Sequence, residues 1–258
     1  MSTVLLTGAS GGIGYELAKL FAHDHHNLVL VARSGDKLAH LATELRAHNV
    51  TVRTAALDLA TPLAPRFLFD QLQGEGVAVD ILINNAGFGA FGEFAQMSNE
   101  EIFGQIQLNI IALTELTHLF LPAMLARRTG RIMNVASTAG FQPGPLMAVY
   151  YATKAYVISF SEALANEVRD SGVTVTCFCP GATHTGFAKR AGNDKSRLFK
   201  QLGAMNVDKV ALDGYRAVME GRTLTISGAH NWVVAQSTRF APRKLVTAIS
   251  RWISEPTQ

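Results

Sequence analysis

The chain has 258 residues, of which 48% are hydrophobic and 17% are charged, a composition that excludes disordered chains, collagens and charged coiled coils. Its 23 basic and 20 acidic residues are scattered and give a net charge of +3, so the charge does not predict nucleic-acid binding. A chain of this length can fold as one domain around an open α/β sheet.

Short apolar runs alternate with longer segments of helical periodicity. Strands are predicted where runs rich in Val, Ile and Leu are bounded by Gly, Asn, Asp or Pro, at residues 4–6, 28–31, 50–57, 79–83, 131–135 and 173–178. Helices are predicted between and after these runs at residues 13–23, 34–48, 63–73, 99–127 and 150–170. A helix near residues 208–219, a strand near 223–226 and a helix over 242–253 complete the pattern.

This alternation predicts a single α/β domain over residues 1–258, namely a doubly wound parallel sheet (Rossmann fold) with helices on both faces. Residues 181–203 are polar and basic and show no strand pattern. Within them, residues 183–203 are predicted to form a mobile substrate loop rather than a domain boundary.

The start of the chain predicts no signal peptide, because it lacks a basic segment and its apolar run is short. The longest apolar run, Ile110 to Leu125, is interrupted by charge and is expected to be too short to cross a bilayer. Cys177 and Cys179 lie in an apolar run and are interpreted as core residues, with neither a metal site nor a disulfide framework. These features predict a cytoplasmic protein without a membrane span.

A glycine-rich turn, Gly8 to Gly14, follows the first strand directly and opens a helix. Glycines let the backbone approach a pyrophosphate, and the helix N-terminus offers N–H donors and a partial positive charge. The turn therefore predicts a dinucleotide site. It also fits the pattern G-x-S-x-G, which leaves a serine esterase with Ser10 as nucleophile as an alternative. The position of the turn after the first strand disfavours that alternative.

Arg33 ends the second predicted strand, about 20 residues beyond the glycine turn, where NAD-binding proteins usually carry Asp or Glu. A guanidinium suits the 2′-phosphate of NADP(H) instead. The sequence therefore predicts a preference for NADP(H) over NAD(H).

Tyr150 and Lys154 lie four residues apart on a predicted helix and share one of its faces. A nearby ammonium stabilises a phenolate and lowers the pKa of the phenol, which makes a tyrosine useful as an acid or base. The spacing leaves Tyr151, three residues before Lys154, as an alternative.

The glycine turn, Asn84 to Gly87, Ser137 and Tyr150-x-x-x-Lys154 occur in an order that resembles the classical short-chain dehydrogenase/reductase family over nearly the whole chain. The resemblance implies hydride transfer between a nicotinamide cofactor and a carbonyl or alcohol carbon, with Tyr150 rather than Tyr151 as general acid/base. It implies that Ser137 orients the substrate oxygen and that Lys154 holds the nicotinamide ribose and keeps Tyr150 acidic. Asn109 matches the residue that supports a proton-relay water.

The same resemblance implies a set of NADP(H)-binding residues. Those at the phosphates and the adenosine are Gly8, Ser10, Gly12, Ile13, Gly14, Arg33, Asp58 and Leu59. Those at the nicotinamide and its ribose are Asn85, Ala86, Gly87, Tyr150, Lys154, Pro180, Gly181, Thr183 and Thr185. The intact catalytic residues disfavour a third hypothesis, a non-catalytic dinucleotide-binding regulator.

Two helices predict how the chain meets partners. The helix at 150–170 has an apolar surface too broad for a single covered side, which together with the family's habit predicts a homodimer or homotetramer. The last helix has an apolar stripe beside basic residues, formed by Leu245, Val246, Ile249, Trp252 and Ile253. A membrane-surface helix shows this pattern, but packing on its own subunit or on a neighbour is the preferred interpretation.

The loops beyond the carboxyl ends of the strands predict the substrate. Residues 88–91 and 140–147 are uncharged and rich in aromatic or aliphatic groups, whereas residues 183–203 carry five basic side chains. A small-molecule carbonyl or alcohol with a bulky apolar body is therefore expected, with room for an acidic tail at the rim.

Overall fold

The computed structural model describes residues 1–200 and 203–256, which contain one seven-stranded sheet with all neighbouring strands parallel, in the order β3-β2-β1-β4-β5-β6-β7. The strands are β1 (Thr3–Thr7), β2 (Asn27–Ala32), β3 (Val52–Ala56), β4 (Ile81–Asn84), β5 (Gly130–Val135), β6 (Val173–Cys179) and β7 (Leu224–Ile226). The strand order reverses between β1 and β4, the position at which open sheets of this kind bind their ligands. The predicted doubly wound fold is confirmed.

Helices cover both faces of the sheet. They are α1 (Gly12–His23), α2 (Gly35–Arg46), α3 (Ala64–Gly74), α4 (Asn99–Ile106), α5 (Leu113–Arg127), α6 (Ala148–Glu167), α7 (Phe187–Ala191), α8 (Arg197–Lys200), α9 (Val207–Met219), α10 (Ala229–Ser237) and α11 (Arg243–Ser254).

Two apolar clusters hold these layers together, because successive residues of a strand point to opposite faces of a sheet. Val4 and Leu6 of β1 pack with α1, α2 and α9 on one face, while Leu5 between them packs with α3, α5 and α6 on the other. Both faces of the sheet are buried, which explains why the strands are continuous apolar runs in the sequence rather than alternating ones.

Most element boundaries agree with the sequence predictions within a few residues, and the largest difference lies in the helix predicted over 99–127. It divides into α4 and α5, joined by a π-helical segment, Gln107–Ala112. The helices α7, α8 and α10 were not predicted. The first two lie inside the predicted loop 183–203, which therefore carries secondary structure, and residues 201 and 202 of that loop lie outside the described part of the chain.

The length argument against a membrane span is wrong, because the helical run continues from Asn99 to Arg127 and is long and apolar enough to cross a bilayer by length and composition. A helix that covers a sheet passes the same test. In α5, Leu116, Phe120 and Met124 are buried in the apolar cluster on the sheet, so this face of the helix serves the core.

Within the chain itself, three of the five residues of the C-terminal stripe are not packed, and packing of the stripe on a neighbouring subunit stays a prediction. Leu245, Ile249 and Trp252 are exposed, whereas Val246 and Ile253 are partly buried. The inward face of α11 is taken instead by small polar side chains, Ser250 and Ser254, both of which are buried.

Candidate active site

A cavity of about 1530 Å³ lies beyond the carboxyl ends of the central strands and runs from the glycine turn to Tyr150. Most of the predicted site residues line it together: Gly8, Ser10, Gly12, Ile13, Arg33, Asp58, Leu59, Asn85, Ala86, Gly87, Ser137, Tyr150, Lys154, Pro180, Gly181, Thr183 and Thr185. Gly14 and Asn109 lie behind this wall. One cavity therefore connects the predicted phosphate end to the predicted catalytic end.

The glycine turn has the close backbone contacts that a pyrophosphate cradle needs. Gly8 has a φ of +69°, which favours glycine, and a Cβ there would lie 2.8 Å from Asn85 Nδ2. A Cβ on Gly14 would collide with the carbonyl oxygen of Gly8, so the first turn of α1 packs directly on the loop. With the N–H groups of α1 at the cavity wall, these residues fit the diphosphate of a dinucleotide.

Thr7 and Asn85 fix the shape of this turn. Thr7 Oγ1 accepts hydrogen bonds from the backbone N–H groups of Asn85 and Ala86, both at 3.0 Å. Asn85 Nδ2 donates to the carbonyl oxygens of Thr7 at 2.9 Å and Gly8 at 3.3 Å. The Asn85 side chain thus joins β4 to the glycine turn. The sequence prediction assigned no role to Thr7, because a threonine at a strand end carries no signal of its own.

Arg33 stands at the end of β2 where the predicted 2′-phosphate would bind. Its Nη1 lies 3.7 Å from Asp58 Oδ2, and both side chains are about half exposed. Asp58 also accepts a hydrogen bond from the N–H of Ala60 at 3.0 Å, which fixes its position. Arg190 of α7 lines the same cavity, and its pKa is lowered mainly by partial burial and further by the charge of Arg33, while Asp58 opposes the shift. Two guanidinium groups therefore flank one wall of the cavity.

At the other end of the cavity, Tyr150 lies beside Ser137. Tyr150 is buried on the first turn of α6, and burial raises the pKa of its phenol, while a hydrogen bond with the Ser137 side chain opposes the rise. Ser137 follows β5, where its Oγ accepts from the N–H of Ala139 and donates to the carbonyl oxygen of Pro180 at 3.4 Å. The ring of Phe187 lies 5.3 Å from that of Tyr150 and narrows the space around the hydroxyl.

Lys154 is buried one turn further along α6, with 5% of its surface exposed. Its Nζ donates to the carbonyl oxygen of Val135 at 2.8 Å and lies 5.8 Å from the centre of the Tyr150 ring. Burial lowers the pKa of Lys154 to about 8. Burial disfavours the charged form of both groups and so moves the pKa values of Tyr150 and Lys154 in opposite directions, while the role of Lys154 in keeping Tyr150 acidic stays a prediction.

The side chain of Asn109 lies in the π-helical segment and supports the cavity wall from behind. Its Oδ1 accepts from the N–H of Phe88 at 3.1 Å, and its Nδ2 donates to the Phe88 carbonyl oxygen at 2.9 Å and to Thr153 Oγ1 at 3.0 Å. Thr153 in turn donates to the carbonyl oxygen of Tyr150 at 2.7 Å. The network ties the loop after β4 to α6, the helix of Tyr150, a link that sequence analysis missed. Short π-helical segments within α-helices occur frequently at functional sites.

The two adjacent tyrosines differ in their surroundings. Tyr151 faces Ser250 and Ser254 of α11, which oppose the rise in its pKa caused by burial. Its ring packs so closely on Gly144 that a Cβ there would overlap it. Tyr150, by contrast, is the tyrosine next to Ser137 and Lys154.

The amino-acid sequence and the fold of the chain are both similar to those of known proteins. The pattern of the family described as short chain dehydrogenase matches residues 2–196. A ketoacyl reductase of Nostoc sp. is 37% identical over 179 residues, which cover 69% of this chain and 62% of that protein. The chain thus matches less than two thirds of the length of that relative.

Two solved structures match nearly the whole chain. A short-chain dehydrogenase from Sphingobium yanoikuyae in complex with NADPH is 36% identical, with a TM-score of 0.84 over 93% of this chain and 94% of that one. A bulky-bulky ketone specific alcohol dehydrogenase from Comamonas testosteroni is 30% identical, with a TM-score of 0.79 over 93% of this chain and 92% of that one.

Proposed function

Because the chain belongs to the short-chain dehydrogenase family, whose members bind a nicotinamide cofactor, we propose that it is an NADP(H)-dependent oxidoreductase that interconverts an apolar ketone or aldehyde and its alcohol. The observation that carries this proposal is that one cavity joins the glycine turn and Arg33 at one end to Ser137, Tyr150 and Lys154 at the other.

The chain's own residues account for the proton in such a reaction. When bound, the nicotinamide supplies the hydride to the carbonyl carbon. Tyr150 donates its hydroxyl proton to the carbonyl oxygen, and Ser137 donates a hydrogen bond that orients the same oxygen. Burial raises the pKa of Tyr150 and so keeps it protonated at neutral pH, which is the form required of an acid in carbonyl reduction. The Lys154 ammonium stabilises the phenolate that remains.

Arg33 supports the choice of NADP(H). Its guanidinium is half exposed at the adenosine end of the cavity and has only a 3.7 Å contact with Asp58, so it is free to turn to a phosphate. Charge-assisted hydrogen bonds of this kind are stronger than those between neutral groups. Arg190 lines the same cavity and adds a second positive charge to its wall.

The apolar part of the cavity wall supports a bulky apolar substrate. Phe88, Met147, Phe187, Val234 and Ile253 contribute to it. The basic loop 183–203 adds Arg190 to the rim and leaves room for an acidic tail. The Comamonas structure is named for its specificity for bulky ketones and the Nostoc relative for a ketoacyl group, both of which agree with an apolar carbonyl compound.

The proposal is tested by NADPH oxidation with ketones and aldehydes graded by apolar area. We expect kcat/KM to rise with that area and to be lowest for small polar or phosphorylated carbonyl compounds. NADPH binding without turnover on any of the carbonyl compounds would favour the regulator hypothesis instead. Labelling of Ser10 by a fluorophosphonate would favour the esterase.

We further propose that the protein is cytoplasmic, that it assembles as a homodimer or homotetramer and that loop 183–203 becomes ordered when ligand binds.

A further inference from the structure

The helix α11 carries three of its large apolar residues on the side away from the protein. Leu245, Ile249 and Trp252 recur at helical spacing and form one stripe, and each is about half exposed, at 52%, 48% and 52%. The opposite face is formed by Ser250 and Ser254, which are buried. This orientation is the reverse of that expected for a surface helix, whose apolar face normally covers the core.

The segment before α11 also exposes large apolar side chains. Trp232 and Val233 of α10 are more than half exposed, and Phe240, in the connection between the two helices, is 88% exposed. Of the fifteen large apolar side chains exposed within residues 1–200 and 203–256, seven lie between residues 229 and 256. Apolar side chains scattered singly on a surface need no explanation, but a concentration of this kind marks an interaction site.

The excess positive charge of the chain resides in this segment. Residues 229–258 carry four basic residues and one acidic residue, whereas the other 228 residues are balanced, with 19 of each sign. Arg251 is paired with Glu93 and Glu255. Among the residues that the structure describes, Arg239, Arg243 and Lys244 have no ion-pair partner.

We propose that α10 and α11 form a docking surface for an anionic lipid bilayer. Leu245, Ile249 and Trp252 enter the interface between headgroups and acyl chains, while Arg239, Arg243 and Lys244 meet the lipid phosphates. A helix with an exposed apolar stripe and basic residues beside it binds membranes in this way, and tryptophan favours the interfacial layer. Basic residues add to the attraction wherever the leaflet is anionic.

The charge pattern favours a bilayer over a second copy of the chain. A symmetric contact through this surface would bring the unpaired basic side chains of both copies into one interface, which like-charge repulsion disfavours. An anionic bilayer supplies a negative surface as well as an apolar phase.

The position of the surface gives it a consequence for the cavity. Ser250 and Ile253 on the inner side of α11 and Val234 of α10 line the same cavity as Tyr150. A membrane bound to the outer side would therefore lie next to the cavity wall. Delivery of an apolar substrate from the bilayer rests on the proposed function, whereas docking itself does not.

The test is binding of the purified protein, without cofactor or substrate, to vesicles of phosphatidylcholine alone or with about 30% phosphatidylglycerol. Trp232 and Trp252 are the two tryptophans of the chain, so tryptophan emission reports on this surface alone. We expect cosedimentation and a blue shift of emission with the anionic vesicles, weakened by salt.

Two double variants separate the apolar and basic contributions. Leu245→Ser with Ile249→Ser, and Arg243→Gln with Lys244→Gln, should each weaken partitioning by about tenfold or more. Matched controls lie elsewhere: Phe67→Ser, at an exposed position of α3, and Lys209→Gln with Arg216→Gln on α9. Both controls should bind as the wild type does.

Two results overturn the proposal. One is a wild type that stays in the supernatant with unchanged emission. The other is light scattering in which the Leu245→Ser/Ile249→Ser variant loses an oligomer that the wild type forms, without vesicle binding by either; this outcome assigns the surface to a second copy. Neither result bears on turnover, so failure here is distinguishable from failure of the proposed activity.

Discussion

Lys154 is the residue at which stability and the proposed chemistry conflict, and replacing it by Met exposes the conflict. The folded protein holds this ammonium almost fully buried, with a pKa of about 8 in place of the ordinary 10.5. At pH 7 that difference corresponds to about 3 kcal/mol of unfavourable free energy in the folded state. Methionine has a similar length and no charge, so Lys154→Met removes this cost.

The gain is reduced by the hydrogen bond that the substitution removes. The carbonyl oxygen of Val135 loses a donor at 2.8 Å, which costs about 1 kcal/mol. The net effect at pH 7 is a stabilisation of about 2 kcal/mol, or a rise in Tm of about 4–8 °C for a chain of this size. Turnover should be lost in the same variant, since the ammonium that stabilises the Tyr150 phenolate is gone.

The pH dependence identifies the cause. Between about pH 8 and 10.5 the unfolded chain binds more protons at this site than the folded one, so wild-type stability gains a contribution as pH rises. Below pH 8 Lys154 is charged in both states and the full penalty is present. The advantage of Lys154→Met should therefore be greatest at neutral pH and shrink towards pH 10.5.

Equilibrium urea unfolding of both proteins at pH 7 and pH 10 measures this difference, and groups common to the two chains cancel. Lys209→Met replaces an exposed lysine of α9 and should show no such pH-dependent gain. A Lys154→Met protein that is less stable than the wild type at pH 7, or whose difference is the same at both pH values, would refute the reasoning.

Further variants test the site more directly. Tyr150→Phe should abolish turnover and leave the NADPH Kd nearly unchanged, whereas Tyr151→Phe should retain most activity; the reverse result would mean that the catalytic tyrosine is misassigned. Arg33→Ala should reduce the preference for NADPH over NADH by about ten- to a hundredfold, measured as the ratio of the two Kd values; equal affinity in the wild type would contradict the assignment. Gly14→Ala should abolish cofactor binding, because its Cβ meets the Gly8 carbonyl oxygen, and calorimetric titration with NADPH checks this. Light scattering at micromolar concentration should show a dimer or tetramer, and a stable monomer would contradict the prediction from α6.

The parts of the fold that the sequence predicts are those set by local pattern. Strands such as β1 are buried on both faces, so Val4, Leu5 and Leu6 form an uninterrupted apolar run that shows in the sequence. The glycine turn is equally visible, since Gly8 adopts a positive φ and Gly14 leaves no room for a side chain. Together these two features predict at which edge of the sheet the cavity lies.

The features that escaped prediction depend on contacts distant in sequence. The helix around Asn109 widens into a π-segment while its side chain binds the backbone of Phe88, 21 residues earlier, and Thr153, 44 residues later. Composition gives no sign of such a network. The outward stripe of α11 escaped for a related reason, because hydrophobic periodicity shows that one side of a helix is apolar but not which side faces the protein.

The pKa of Tyr150 depends on burial, which the spacing of two residues does not reveal. The spacing of Tyr150 and Lys154 shows that they share one face of a helix, and charge attraction alone then lowers the pKa of the phenol. Spacing does not show how deeply that face is buried. In the folded protein burial raises the pKa of Tyr150 and lowers that of Lys154, so each group is held towards its neutral form. The neutral phenol carries the proton that carbonyl reduction consumes. Alcohol oxidation instead requires the phenolate as the proton acceptor, and burial disfavours that form. The free protein is thus better prepared for carbonyl reduction than for alcohol oxidation, and oxidation should require a higher pH than reduction in initial-rate assays run in both directions.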